Sequence, residues 1–347
     1  MTQRLKITAV EPRYAIPGGE IAIACEAFDL SQGGTVFIGD LVCRIVAAST
    51  TRILAIVPHE REVEGKKSKG KKETELWIKC GGIKSEPFPV NVGRLLVNGM
   101  HIVANPAVDP SDGAIIVTRS GGRGQHLPAT LFRLEEDGYL DDFTDPILNP
   151  TGIAFDKDGQ MFVTNRAEGD VYAVGRDGVS TVYSSGLGVA TGIAFDPQGR
   201  MYIGDRSGII YRLLDDATSE TFTVMESSVA AYHMAFAADG RLFLTSPGLA
   251  SSDSVHVIDD EGFDEKFFTG LGRPQGLAFD KSGVLYVAAC YKGHHGIVRI
   301  SSNGRHADNF VAGPNLVGLC FNRKGDMIVA TNDSLYSIPC GIEGTLL

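Results

Sequence analysis

A fifteen-residue motif recurs along the last two-thirds of the chain, and its spacing restricts the fold more than any other feature. It reads TGIAFDKDGQMFVTN (151–165), TGIAFDPQGRMYIGD (191–205), YHMAFAADGRLFLTS (232–246), QGLAFDKSGVLYVAA (275–289) and VGLCFNRKGDMIVAT (317–331). A more divergent relative, NPAVDPSDGAIIVTR (105–119), precedes them. The marker phenylalanines at 155, 195, 236, 279 and 321 are 40, 41, 43 and 42 residues apart. Repetition of this kind is read before local propensity, because repeated units bury their apolar faces against one another. Each period has room for four short strands. In the second copy these are Gly192 to Asp196, Met201 to Asp205, Ile209 to Leu213 and Thr221 to Met225, with a reversal at Pro197-Gln198-Gly199. The D-x-x-G reversal suits a hairpin, since Asp tolerates turn geometry and Gly supplies a positive φ. Six such meanders set radially make a β-propeller, which removes most free sheet edges by closure. Closure borrows a strand from the other end of the chain, either Leu95-Leu96-Val97 or the tail Ile342 to Leu347, and the first is preferred.

The segment before the repeats alternates at period two. Ile7-Thr8-Ala9-Val10, Ile21 to Cys25, Thr35 to Ile38, Cys43 to Val46, Ile53 to Val57, Glu75 to Cys80 and Phe88 to Val92 are separated by turn residues such as Pro17-Gly18-Gly19 and Ser31-Gln32-Gly33-Gly34. Short strands at this spacing predict a two-sheet sandwich. The runs ITAVEP (7–12), PGGEIAIACEAF (17–28), VFIGD (36–40), TTRILAIVP (50–58) and PFPVNVG (87–93) resemble the IPT/TIG family of immunoglobulin-like domains. The resemblance implies a binding or spacer module. The repeats are similar to the NHL family and to the gluconolactonase/senescence-marker family of six-bladed propellers, over about 250 residues. The fold class expected is therefore all-β. An N-terminal immunoglobulin-like β-sandwich (1–94) is followed by a six-bladed NHL/gluconolactonase-like β-propeller (95–347).

Composition narrows the function. A net charge of −10 and a pI near 5.3 argue against nucleic acid as a partner, which normally demands a basic face. The one basic run, Lys66 to Lys72, is followed by Glu73 and Glu75 and reads as a solvated loop. The first residues carry no apolar stretch of leader length, and no segment approaches the about 18 apolar residues of a membrane helix, so a cytoplasmic protein without membrane contact is expected. The six cysteines form no CxxC pair. Cys25, Cys43 and Cys80 share strand alternation with apolar neighbours, so they read as small, reduced core residues.

In an antiparallel meander, the start of the first strand and the end of the second lie at one end of the sheet. These positions should ring a channel mouth, the default place for a ligand. The ring comprises Thr151, Thr191, Tyr232 and Gln275 from the first strands, with Arg119, Asn165, Arg166, Asp205, Arg206 and Asn332 from the second. Arg123 joins them from the glycine-rich stretch 120–125, which lacks the phosphate-loop pattern. Arginine forks suit carboxylate or phosphate groups, and Asp205 is a candidate internal partner for Arg166 or Arg206. In lactonases of the resembling family a divalent cation is held by Glu and by Asn or Asp residues. Some of these occupy the position before the inner-strand glycine, which here carries Thr151, Thr191, Tyr232, Gln275 and Val317. NHL lyases can hold zinc with histidines, and the candidates are His126, His233, His294 and His295. No nucleophile motif is present, so no catalytic residue is assigned. The expectation is a binding or scaffold protein whose mouth engages a protein or a small anionic ligand, with no cofactor. The alternative is a metal-dependent hydrolase or lyase, holding Ca²⁺ or Zn²⁺ at the same mouth.

Overall fold

A computed structural model describes residues 4–59, 74–122, 125–143, 147–249 and 252–345. The basic run 66–72 lies outside the described residues. The described chain is all-β apart from one 3₁₀ turn at Leu30–Gln32, and none of its helices is long and apolar enough to cross a membrane.

The N-terminal strands form two antiparallel layers. Lys6–Glu11, Glu20–Glu26, Arg52–Ile56 and Leu41–Ala48 pair in that order. Thr35–Ile38, Thr74–Cys80 and Phe88–Val92 make the second layer. Alternation sends Ile21, Ile23 and Cys25 of one layer, and Leu76, Ile78 and Cys80 of the other, into one apolar cluster. Burial raises the thiol pKa of Cys25 to about 11, which suits the reduced, inert role that alternation assigned to it. Tyr14–Ala15 pairs in parallel with Asn91 and Val92 on one side and with Val311 and Ala312 on the other, tying these layers to the repeats.

The repeats form antiparallel quartets. Four are separate sheets. Pro150–Phe155, Met161–Asn165, Asp170–Val174 and Ser180–Ser184 make one, and Ala190–Phe195, Met201–Asp205, Ile209–Leu213 and Ser219–Val224 the next. Ala107–Val108 opens a third sheet with Ile115–Thr118, Leu131–Leu134 and Leu140–Asp142. Leu316–Phe321, Asp326–Thr331 and Leu335–Pro339 are completed by Arg94–Val97, which arrives from the start of the repeat region. Two further quartets, from His233–Phe236 to Asp264–Gly272 and from Leu277–Phe279 to Ala307–Ala312, are linked by pairing of Leu271 with Tyr291. The arrangement is that of a β-propeller. The tail runs elsewhere, with Thr345 N–H donating to Phe279 O at 3.0 Å.

The D-x-x-G turns explain their own residue types. Asp156 Oδ1 accepts from Asp158 N and Gln160 N, and Asp196, Asp280 and Asn322 repeat this two-amide grip. The following Gly159 and Gly199 sit at φ 80° and 84°.

The glycines of the inner strands have a different cause. A Cβ on Gly152 would lie 2.6 Å from Thr191 O of the next quartet, and one on Gly192 would lie 3.0 Å from Tyr232 O. A Cβ on Gly318, in the last copy, would lie 2.6 Å from Cα of Asn105 in the first. Neighbouring inner strands thus pack backbone to backbone around an axis. Asn105 stands at the glycine position of its own repeat. Its Nδ2 donates to Leu277 O at 3.0 Å and its Oδ1 accepts from Leu319 N at 3.0 Å, so one side chain ties three inner strands. Asn105→Ala leaves two buried backbone groups unpaired, so unfolding free energy should fall by about 2–4 kcal/mol. Gly276→Ala, whose Cβ would meet Asn105 Oδ1 at 2.0 Å, should lose about 1–3 kcal/mol by overpacking. Urea denaturation of both variants measures this.

Candidate functional site

At the end of the axis where the inner strands begin lies a cavity of about 510 Å³. Of the residues expected there, Thr151, Arg166, Thr191, Arg206, Gln275 and Asn332 line it. Arg273 joins them, contributed by the segment entering the fifth inner strand, with His101, His295 and Asn315. The mouth therefore carries three guanidinium groups, and no Asp or Glu is among its described lining residues, although the whole chain is acidic.

Arg166 and Arg206 are held by backbone carbonyls rather than by acids among the described residues. Arg166 Nη2 donates to Gly121 O at 3.2 Å, and Arg206 Nη2 donates to Val229 O at 3.1 Å. Arg206 Nε is buried with no partner among the described residues. Burial, together with the nearby charge of Arg206, lowers the pKa of Arg166 from its ordinary value. Two like charges held this close, with donors to spare, form an electropositive pair that an anion would relieve.

Asp205 does not supply that relief. Its Oδ1 accepts from Val189 N at 2.8 Å and Ser207 N at 3.1 Å, and Ser207 Oγ donates to its Oδ2. Asn165, at the same place in the preceding repeat, is likewise consumed. Its Oδ1 accepts from Ala167 N at 2.7 Å and Glu168 N at 3.2 Å, while Nδ2 donates to Glu168. Both are turn-forming residues, buried beneath the mouth rather than facing it. Tyr232 does not line this cavity either. It is fully buried, its hydroxyl donates to Glu226 O, and burial raises its pKa to about 12. Arg119 is half-buried and does not line the mouth cavity, and Arg123 lies outside the described residues.

The four histidines are not brought together. His126 is exposed and lines neither axial cavity, and His295 lines the mouth. The ring of His294, its neighbour in one strand, points to the other side of the sheet, with Nδ1 3.4 Å from Glu20 Oε1 of the N-terminal layers. His233 lines a second axial cavity, beyond the glycine level. Among the described residues no three His, Cys, Asp or Glu side chains are placed to share a metal ion. Strand alternation and channel depth send these rings into separate spaces.

His233 is 4% exposed, and burial lowers its pKa from 6.5 to about 4. The unfolded chain therefore takes up this proton first. Its contribution to stability is intact above pH 6.5, is lost as pH falls from 6.5 to 4, and stays level below. Relative to His233→Phe, the protein should lose about 3 kcal/mol of unfolding free energy across that window. Paired denaturation curves at pH 7 and pH 4 give the difference.

With this geometry in place, comparison with known proteins adds the following. The family model "Strictosidine synthase-like, N-terminal" matches residues 192–213, one inner hairpin and the strand after it. No curated protein matches the chain. Solved structures do. A protein of unknown function from Bacteroides thetaiotaomicron is 12% identical with a TM-score of 0.56, covering 97% of this chain and 98% of its own. An auxiliary nutrient binding protein from the same organism is 13% identical with a TM-score of 0.56, covering 96% and 97%. A putative gluconolactonase is 18% identical with a TM-score of 0.58, covering 73% of this chain and 93% of its own. At such identities the likeness is one of fold, and together these findings support the β-propeller arrangement.

Proposed function

We propose that the chain is an immunoglobulin-like sandwich, residues 1–94, followed by a six-bladed propeller, residues 95–347, and that it binds a small anionic ligand at the propeller mouth. From Pro150–Phe155 onward each inner strand neighbours the next in chain order, the last neighbours the first, and Ile115–Thr118 of the first quartet neighbours Pro150–Phe155, which favours six blades closed by Arg94–Val97. The observation that carries the ligand class is the mouth's charge. Arg166, Arg206 and Arg273 share one cavity, and none of them forms an ion pair among the described residues. Charge-assisted bonds from guanidinium groups are stronger than neutral ones, and their fork matches a carboxylate or phosphate. Gln275 and Asn332 add neutral donors around them.

Binding is preferred over metal-dependent hydrolysis because, among the described residues, the same cavity offers no carboxylate for Ca²⁺ and no three His, Cys, Asp or Glu side chains converge as Zn²⁺ would need. The nutrient-binding description of one neighbour is compatible with a ligand-holding role. Inorganic phosphate and malonate, titrated by calorimetry, should bind with an affinity that falls as salt rises. Arg206→Gln and Arg166→Gln should each weaken binding by about 10- to 100-fold, the equivalent of one charge-assisted hydrogen bond. Absence of saturable binding by either anion, or binding indifferent to both substitutions, would defeat the reading.

A further inference from the structure

The axial channel reopens below the glycine level. Toward the D-x-x-G turns it holds a cavity of about 390 Å³, within the range of small-molecule sites. Ile153, Ile193, Met234, Leu277 and Leu319 form its walls. Nearly every polar group facing it is already engaged. Asn105 is bonded to Leu277 O and Leu319 N. Thr191 Oγ1 donates to Gly204 O at 3.2 Å and accepts from Tyr232 N at 3.0 Å. Asp156 and Asp196 hold their own turns. Thr345, at the rim, donates to Phe279 O.

Lys157, at the exposed rim, and His233, inside, are the exceptions. His233 Nε2 is buried without a partner among the described residues. An unpaired buried polar atom costs about 1–3 kcal/mol, and such atoms are rare enough in native proteins to need a reason. Burial also keeps the imidazole neutral near pH 7, so it can donate or accept but does not attract an anion.

We infer that this inner cavity is a second ligand site, for an uncharged and largely apolar molecule whose single hydroxyl or carbonyl group hydrogen-bonds His233. The walls supply the apolar contact and the imidazole supplies orientation. The site is separate from the mouth. It lies past the constriction made by Asn105 and the inner-strand glycines, and opens toward the opposite end of the axis.

Two probes of nearly equal shape test it, 2-naphthol and 2-methylnaphthalene, with the full chain at pH 7. The alcohol should bind at least about fivefold more tightly than the hydrocarbon, the range of one net hydrogen bond. In protein carrying ¹⁵N-histidine, the ring nitrogens of His233 should shift on adding 2-naphthol. His233→Phe should abolish the preference while leaving the hydrocarbon bound, and the ring shift in the unsubstituted protein serves if that variant does not fold. Equal binding of the two probes, no saturable binding, or an unresponsive His233 ring would overturn the inference. Competition by saturating sulfate would place the alcohol at the arginine mouth and would overturn it too.

Discussion

Around the axis, the inner strands stand so close that backbone meets backbone. At Gly152, Gly192, Gly276 and Gly318 a single added carbon would fall within 2.5–3.0 Å of the adjoining strand's backbone. Interiors packed at this density respond to one methylene, so the glycine level acts as a rigid collar. The two repeats without glycine there use the space differently. Asn105 fills its gap with hydrogen bonds to two other inner strands. His233 fills its gap with an imidazole whose Nε2 has no partner among the described residues. The collar thereby divides one channel into two chambers, of which only the mouth is lined by arginines among the described residues.

The chambers differ because the side chains above and below the collar come from different parts of the repeat. The mouth is built by segments entering the inner strands and by residues just past the second strands, and these bring three arginines among smaller polar and apolar residues. The lower chamber is walled by the third residue of each inner-strand motif, which is Ile, Met or Leu in five copies. An anion approaching a protein of net charge −10 meets repulsion at long range, which salt screens within about 10 Å. A concave site with local positive charge can still capture it, because field lines concentrate in clefts.

Periodicity made most of the architecture legible. The strands read in the second copy from Gly192 to Asp196 and from Thr221 to Met225 are observed at Ala190–Phe195 and Ser219–Val224, and the middle two match at both ends. The site was legible only in part. Thr151, Arg166, Thr191, Arg206, Gln275 and Asn332 fall where their repeat positions placed them. Asn165 and Asp205 sit one residue before the mouth arginines and look equally available in sequence. Their short side chains instead cap the turns that aim those arginines, which is a common use of Asn and Asp. Arg273 escaped notice because it precedes Gln275 by two residues, in a segment with no counterpart of fixed length in the other repeats.

From the order of residues alone came the strand period, the hairpin chemistry, the apolar faces and the end of each sheet at which polar side chains gather. These are local properties, set by alternation and by turn residues within a few positions of one another. Pairing across the ring was not local. Which arginines share a cavity, which acids are already engaged, and which histidine is left unpartnered depend on how closely separate repeats approach. That distance is set by inner strands packing across about 40 residues of intervening chain, so only the assembled sheets could decide it.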